Sequence, residues 1–224
     1  MRHWPLTQLT ITTPDLILRV PDDKQLDELA QVAADGVLLR GAVSFPQPWA
    51  SGTPEETARN VVQNHWWARG DWSEDNWRLL LAVFHEGTPI GQQNLSARDF
   101  RITREARTGF WLGRRYQGRG LGTQMRAAAL HLAFRHLDAE RVTSSAFADN
   151  AASRRVSEKL GYTPNGIRRL SVEGRLVEAH DAAITATDWD HRVQQTTQVG
   201  GINECRHMFG IRAAVPPVDV VLHV

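Results

Sequence analysis

Apolar positions along this chain alternate in short runs, then recur every three or four residues, and the switches between the two periods set out an order of strands and helices. Leu16–Val20 reads as a short strand, and Pro21-Asp22-Asp23 then starts a helix whose Leu26, Leu29, Val32 and Ala33 share a face. Phe45–Ser51, rich in Pro, Ser and Trp, reads as a loop. Thr53-Pro54-Glu55-Glu56 opens a second helix, because proline and acidic side chains suit a first turn. Arg78–Phe84 and Ile90–Ala97 are strand-like and flank the turn formers Glu86-Gly87-Thr88-Pro89, a hairpin pattern. After a polar connector, Arg98–Arg107, comes a strand at Thr108–Leu112. The glycine-rich run Gln117–Gly122 then leads into a helix with Leu121, Met125, Ala128, Ala129 and Leu132 on one face. Val142–Phe147 alternates as a strand. Asn150 stands at an N-cap position, Ala152, Val156 and Leu160 form a stripe, and Gly161 is placed to close the helix in the left-handed conformation. Ile167–Val172 and Arg175–Ala186 flank Glu173-Gly174 as a second hairpin, and beyond Trp189 periodicity fades.

This pattern predicts an α/β (α+β) fold in one unit, residues 1–190, with residues 191–224 as a tail that packs on the domain or on a partner. Apolar residues at 42% and charged residues at 23% of 224 suit a folded globular chain rather than a disordered one. A net charge of +1, with both signs interspersed, argues against a nucleic-acid binder. The single cysteine, Cys205, excludes an intrachain disulfide framework and a CxxC metal knuckle. With one cysteine no metal is expected, and with no apolar stretch long enough for a leader or a membrane span the expected location is the cytoplasm. Eight tryptophans are unusual, and Trp49, Trp66, Trp67, Trp72 and Trp77 crowd one early segment.

Candidate chemistry centres on Gln117-Gly118-Arg119-Gly120-Leu121-Gly122, followed by Thr123. Exposed amides at a helix start favour a phosphate or pyrophosphate, and glycine permits close backbone approach and positive φ; a plain tight turn is the competing reading. A Walker A loop beginning at Gly113 fails, because Arg119 and Gly120 stand where Lys and Ser or Thr are required. A dinucleotide fingerprint fails at Thr123, where its third glycine belongs, and no acidic residue follows at a suitable distance.

The loop resembles the coenzyme A loop of the GCN5-related N-acetyltransferase (GNAT) superfamily, Gln or Arg, x, x, Gly, x, Gly or Ala, through Gln117, Gly120 and Gly122. Gly109-Phe110-Trp111-Leu112 is similar to that family's fourth strand. Asn150–Ser153 through Glu158–Tyr162 is similar to its second cofactor-side helix. The whole pattern, from about Leu16 to Trp189, resembles the RimJ/RimL-like branch and an actinobacterial subgroup of it that uses acetyl or succinyl donors. The resemblance implies a mixed, mostly antiparallel sheet of about seven strands, splayed between the fourth and fifth and flanked by helices. It also implies acetyl-CoA or another acyl-CoA such as succinyl-CoA as cosubstrate, and acyl transfer to an amine of a protein N-terminus, a lysine or a small molecule. A noncatalytic acyl-CoA sensor or interaction module is the alternative.

The same resemblance assigns the diphosphate to the amides of Gly118, Arg119, Gly120, Leu121, Gly122 and Thr123, and polarisation of the thioester to backbone amides near Trp111 and Leu112. Asn150 would hold the pantetheine arm. Many relatives carry a tyrosine seven residues after this asparagine; here the residue is Ser157, so Ser153 is expected to hydrogen bond the leaving thiolate. For the general base the residues leave Asp99, Glu105, Glu178, His180, Asp181 or a water chain open, His180 having the chemistry suited to neutral pH. The tryptophans are expected to wall an acceptor pocket or to serve as core or interface anchors. Met208, Phe209 and Ile211 suggest a homodimer.

Overall fold

Thr10–Thr12 (β1) and Ile17–Arg19 (β2) are short antiparallel strands that follow a single 3-10 turn at Pro5–Gln8. The computed structural model describes residues 1–37, 49–190 and 196–211. Residues 45–48 of the expected loop, and residues 191–195 and 212–224 of the expected tail, lie outside the described residues.

Asp23–Ala34 (α1) and Pro54–Gly70 (α2) each begin with a reciprocal capping box. The Asp22 carboxylate accepts from the Gln25 amide while the Gln25 side chain accepts from Asp22 N–H; Thr53 and Glu56 do the same. Asn76–His85 (β3) and Thr88–Arg98 (β4) form the expected hairpin, turning at Glu86 and Gly87, both at positive φ. The connector is more ordered than its polarity suggests. Asp99 and Arg104, both left-handed, bracket a single turn, Phe100–Thr103 (α3), and Phe100 is buried edge-on against Trp77 at 5.2 Å. One buried aromatic in a polar stretch carries no periodicity, so only packing fixes this turn.

Glu105–Leu112 (β5), Leu121–His136 (α4) and Arg141–Phe147 (β6) form a strand–helix–strand unit, and β5 and β6 are the one parallel pair among the described strands. Ala151–Leu160 (α5) follows, ended by Gly161 at φ 88°, then Thr163–Val172 (β7) and Arg175–Thr185 (β8), which turn at Glu173-Gly174. Ala186–Asp190 (α6), Gln198–Gly200 (β9) and Ile202–Cys205 (α7) complete the described elements.

The strands make one sheet in the order β7-β8-β6-β5-β4-β3-β2-β1-β9. The strand number exceeds the expected seven because β1 and β9, three residues each, pair with one another and are too short for a periodic signal. The split expected after the fourth strand accordingly falls between β5 and β6. The sheet is covered on both sides, so β3 reads as an almost unbroken apolar run. Trp77, Leu79, Leu81 and Val83 face the α4 side, while Ala82 and Phe84 face α1 and α2.

Helix α4 is buried nearly all round, from Met125 through Leu130, rather than along one stripe, because the sheet and α5 both close on it. Residues 196–211 fold back onto the same body. Cys205, Phe209 and Ile211 are buried in its main cluster, and Trp72 donates from Nε1 to the Met208 carbonyl at 2.9 Å. Phe209 and Ile211 therefore have little surface to offer a second copy. Among the described residues no helix is long and apolar enough to cross a membrane.

Candidate active site

The glycine loop holds its shape through backbone conformation and one clasp. Gly118 and Gly120 sit at φ 77° and 82° with open space where a Cβ would be, so conformation rather than crowding demands glycine there. Gly122 differs: a Cβ would press on Phe110 at 3.3 Å and Leu112 at 3.6 Å, so its glycine lets α4 lie close against β5. The Gln117 side-chain amide donates to the carbonyls of Val37 (3.0 Å) and Leu112 (2.9 Å), tying the loop to the ends of α1 and β5. Gln117 is thus a fastening for the loop. The Gly120 carbonyl accepts from Thr123 and Gln124, while among the described residues nothing accepts from the amides of Gly118, Arg119, Gly120, Leu121 or Gly122. Five unclaimed N–H groups at the positive end of a 16-residue helix fit a diphosphate. Arg119 is exposed beside them.

Next to this loop the sheet opens. β5 and β6 pair only from Glu105↔Arg141 to Arg107↔Thr143, and the Glu105–Arg141 ion pair (2.5 Å) staples the closed end. Thr108 marks the parting. Its hydroxyl donates to the Thr143 carbonyl at 3.3 Å and meets the Tyr162 hydroxyl at 3.1 Å. The gap lies at the carboxyl ends of two parallel strands, the side on which α/β sheets bind ligands.

Hydrogen bonding alternates along an antiparallel ladder, and Gly113 donates to Ile90, so Trp111 is directed at Gln92 of β4 while Phe110 and Leu112 direct their amides into the gap. Of the two residues expected to polarise a thioester, Leu112 keeps that geometry; the neighbour that shares it is Phe110 rather than Trp111. The Trp111 side chain points to the other face, 5.6 Å from the Trp49 ring.

Across the gap, Asn150 caps α5, its Oδ1 accepting from the Ser153 amide at 3.0 Å, which leaves its side-chain NH2 for a ligand. Ser153 is half-buried one turn before Ser157. Between α4, α5 and β5 lies a residue that the sequence reading passed over: Arg126, 1% exposed. It donates from Nη1 to Ser157 Oγ (2.7 Å) and stacks over Phe110 (4.4 Å) and more distantly Tyr162 (5.7 Å), while its Nε has no partner. Ser157 in turn donates to the Ser153 carbonyl at 3.3 Å. Gln93, the register partner of Phe110, also buries an unpartnered oxygen, Oε1. The available signal was helical spacing, since Arg126 is four residues from both Gly122 and Leu130 on a helix with no free face.

On the α1/α2 face, buried His65 meets Gln92 Oε1 through Nε2 at 2.7 Å, and Gln92 donates to Asn94 Oδ1 at 2.6 Å. Burial lowers the His65 pKa to about 4, against a smaller rise from the Gln92 hydrogen bond. Asn94 lies opposite Gly109, whose missing side chain leaves room on this face. Of the base candidates, Glu105 is paired with Arg141. Asp181 is gripped by Arg168 (2.5 and 2.9 Å), whose hydrogen bonds hold its carboxyl below the usual range. Glu178 and Asp99 are exposed, and His180 is half-buried opposite Ala146 of β6. The early tryptophans divide: Trp72 and Trp77 stack at 6.0 Å in the core, Trp66 and Trp67 lie 57% and 64% exposed, and Trp49 alone reaches the Trp111 face.

Two parallel strands parted beside a helix start with unclaimed amides form a cleft suited to an elongated, phosphate-bearing ligand. Residues 15–163 match the acetyltransferase (GNAT) domain family, and the chain belongs to it. Among curated proteins it is similar to "Putative ribosomal N-acetyltransferase YdaF" of Bacillus subtilis (strain 168), 29% identical over 177 residues, 78% of this chain and 93% of that protein. Among solved structures, Mycobacterium smegmatis RimJ in complex with CoA-disulfide is 17% identical with a TM-score of 0.63, over 90% of this chain and 94% of that one. RimL, a ribosomal L7/L12 alpha-N-protein acetyltransferase in complex with coenzyme A, is 21% identical with a TM-score of 0.60, over 77% and 95%. These structures share the fold.

Proposed function

We propose that this chain moves an acyl group from acyl-CoA, acetyl-CoA ahead of succinyl-CoA, onto a primary amine that attacks the thioester directly. The observation that carries this reading is the set of five unclaimed amides at the start of α4, beside the open end of the β5–β6 pair. The diphosphate sits on those amides, the pantetheine arm runs along the gap against Asn150, and the thioester oxygen receives the amides of Phe110 and Leu112 as charge develops on it. Ser153 offers a hydroxyl to the departing sulfur. The amine enters from the α1/α2 face, where Gly109 leaves room and Trp49 and Trp111 form an apolar wall. The relatives named for ribosomal proteins make a protein α-amine the first acceptor to test, ahead of a lysine or a small amine.

The test is thiol release from acetyl-CoA and succinyl-CoA with N-terminal peptides of ribosomal proteins, lysine peptides and small amines. Calorimetry with CoA runs in parallel. Release with at least one amine is expected. Absence of heat with CoA on folded protein removes the reading, and tight binding without release from any amine replaces it with an acyl-CoA sensor.

A further inference from the structure

A buried guanidinium usually answers a carboxylate, and Arg126 does not. Its partners are a hydroxyl and two aromatic faces, and among the described residues no acidic side chain pairs with it. Burial pulls its pKa down from the usual arginine value, but arginine starts so high that it remains a cation at neutral pH. An apolar side chain of similar volume would fill this space at no electrostatic cost, and uncompensated buried charge is expensive. The Nε without a partner adds to that cost. Such charge concentrates where an anion forms during function.

The place where an anion forms is adjacent. Arg126 lies on α4 one turn beyond Gly122, over Phe110 of the parted strand, and is hydrogen bonded to the helix that carries Asn150 and Ser153. Resting on the acyl-CoA reading above, we infer that Arg126, acting through Ser157 and the α5 turn carrying Ser153, is a positioning residue whose charge stabilises the coenzyme A thiolate as it leaves. In the step, the amine nitrogen bonds to the carbonyl carbon and the carbon–sulfur bond breaks with its electron pair on sulfur. The proton lost by nitrogen passes to water and sulfur later takes one from water; Arg126 keeps its protons throughout. A hydroxyl is too weak an acid to protonate the sulfur, so a fixed charge behind it supplies what an acid would otherwise supply.

The experiment is an ultraviolet titration of the thiol of CoA bound to the full chain, as a difference against CoA-free protein. The bound thiol is expected to ionise about one pH unit below free CoA in the wild type, since a cation nearby in a low-dielectric site favours thiolate. Arg126→Met returns it to the free value, Arg126→Lys keeps at least half of the shift, and Ser157→Ala gives a partial shift. With acetyl-CoA, Arg126→Met lowers kcat about tenfold or more with KM changed less than about threefold, and Arg126→Lys restores part of it. A wild-type bound thiol that titrates like free CoA overturns the inference even if Arg126→Met fails to fold, and leaves the acyl-CoA reading standing. The same titration in wild type and Arg126→Met overturns it as well. No CoA binding removes both.

Discussion

Under α4 and α5 the sheet buries Arg126, while under α1 and α2 it buries His65, and the two faces treat an ionisable side chain in opposite ways. Desolvation pushes both pKa values down. The imidazole, starting at 6.5, falls to about 4 and is neutral at pH 7. The guanidinium starts so far above neutrality that it stays charged. On the α1/α2 face His65, Gln92 and Asn94 thereby form a neutral hydrogen-bonded cluster, with the Arg69 guanidinium near the imidazole. The α4/α5 face keeps a positive charge and five free amides, suited to a polyanionic cosubstrate and its thiolate. Burial alone does not set the chemistry of a face; burial acting on a particular reference pKa does.

This contrast breaks most sharply at the glycine loop. Gly120→Val places a β-branched residue at φ 82°, a strain of about 1–3 kcal/mol that the loop relieves by leaving its anion-binding shape. Calorimetry should show CoA affinity down about tenfold to a hundredfold with an unchanged far-ultraviolet circular dichroism spectrum; unaltered affinity would remove the diphosphate site. Next comes the buried imidazole. The folded-state pKa of His65 lies below 6.5, so its contribution to stability is fully present above about 6.5 and is lost as pH falls to about 4. The loss is on the order of 3 kcal/mol. Urea unfolding at pH 7 and at pH 4 should show the wild type losing that much more stability than His65→Gln, and parallel losses would mean that the imidazole is not buried neutral.

Gln117→Ala removes the clasp on Val37 and Leu112 and should cost about 1–2 kcal/mol of stability, with CoA binding several-fold weaker. The comparison sharpens if that loss of affinity is confined to CoA and spares binding of the amine. The smallest effect is expected at Asp181→Asn, where the partner Arg168 is partly exposed. Its stability should change by less than about 1 kcal/mol, and the acid limb of the pH–rate profile, where protonation silences a base, should stay in place. Loss of that limb would make Asp181 the base despite its ion pair.

The glycine loop and the α5 cap were legible in the sequence because they are built from contiguous residues. Gln117–Gly122 with the start of α4, and Asn150–Ser153 with the start of α5, carry their geometry in local backbone rules: caps, positive φ and free amides at a helix start. The α1/α2 face was not legible in that way. His65 meets Gln92 across 27 residues, and Trp49 meets Trp111 only when α2 is laid on the sheet. The same limit applies to Arg126, whose lack of a free face comes from α5 packing against α4, and to β1 and β9, each too short to announce itself.

By itself the sequence determined the order of strands and helices, the helix caps, both hairpin turns and the amide-lined loop, all of which depend on neighbours within a few residues. Only the tertiary structure decided where β5 and β6 part, which strand amides face the gap, which tryptophans belong to the core, and that a guanidinium would be enclosed with no acid beside it among the described residues. Those features are set by desolvation and register between segments far apart in the chain, quantities that no local pattern of residues encodes.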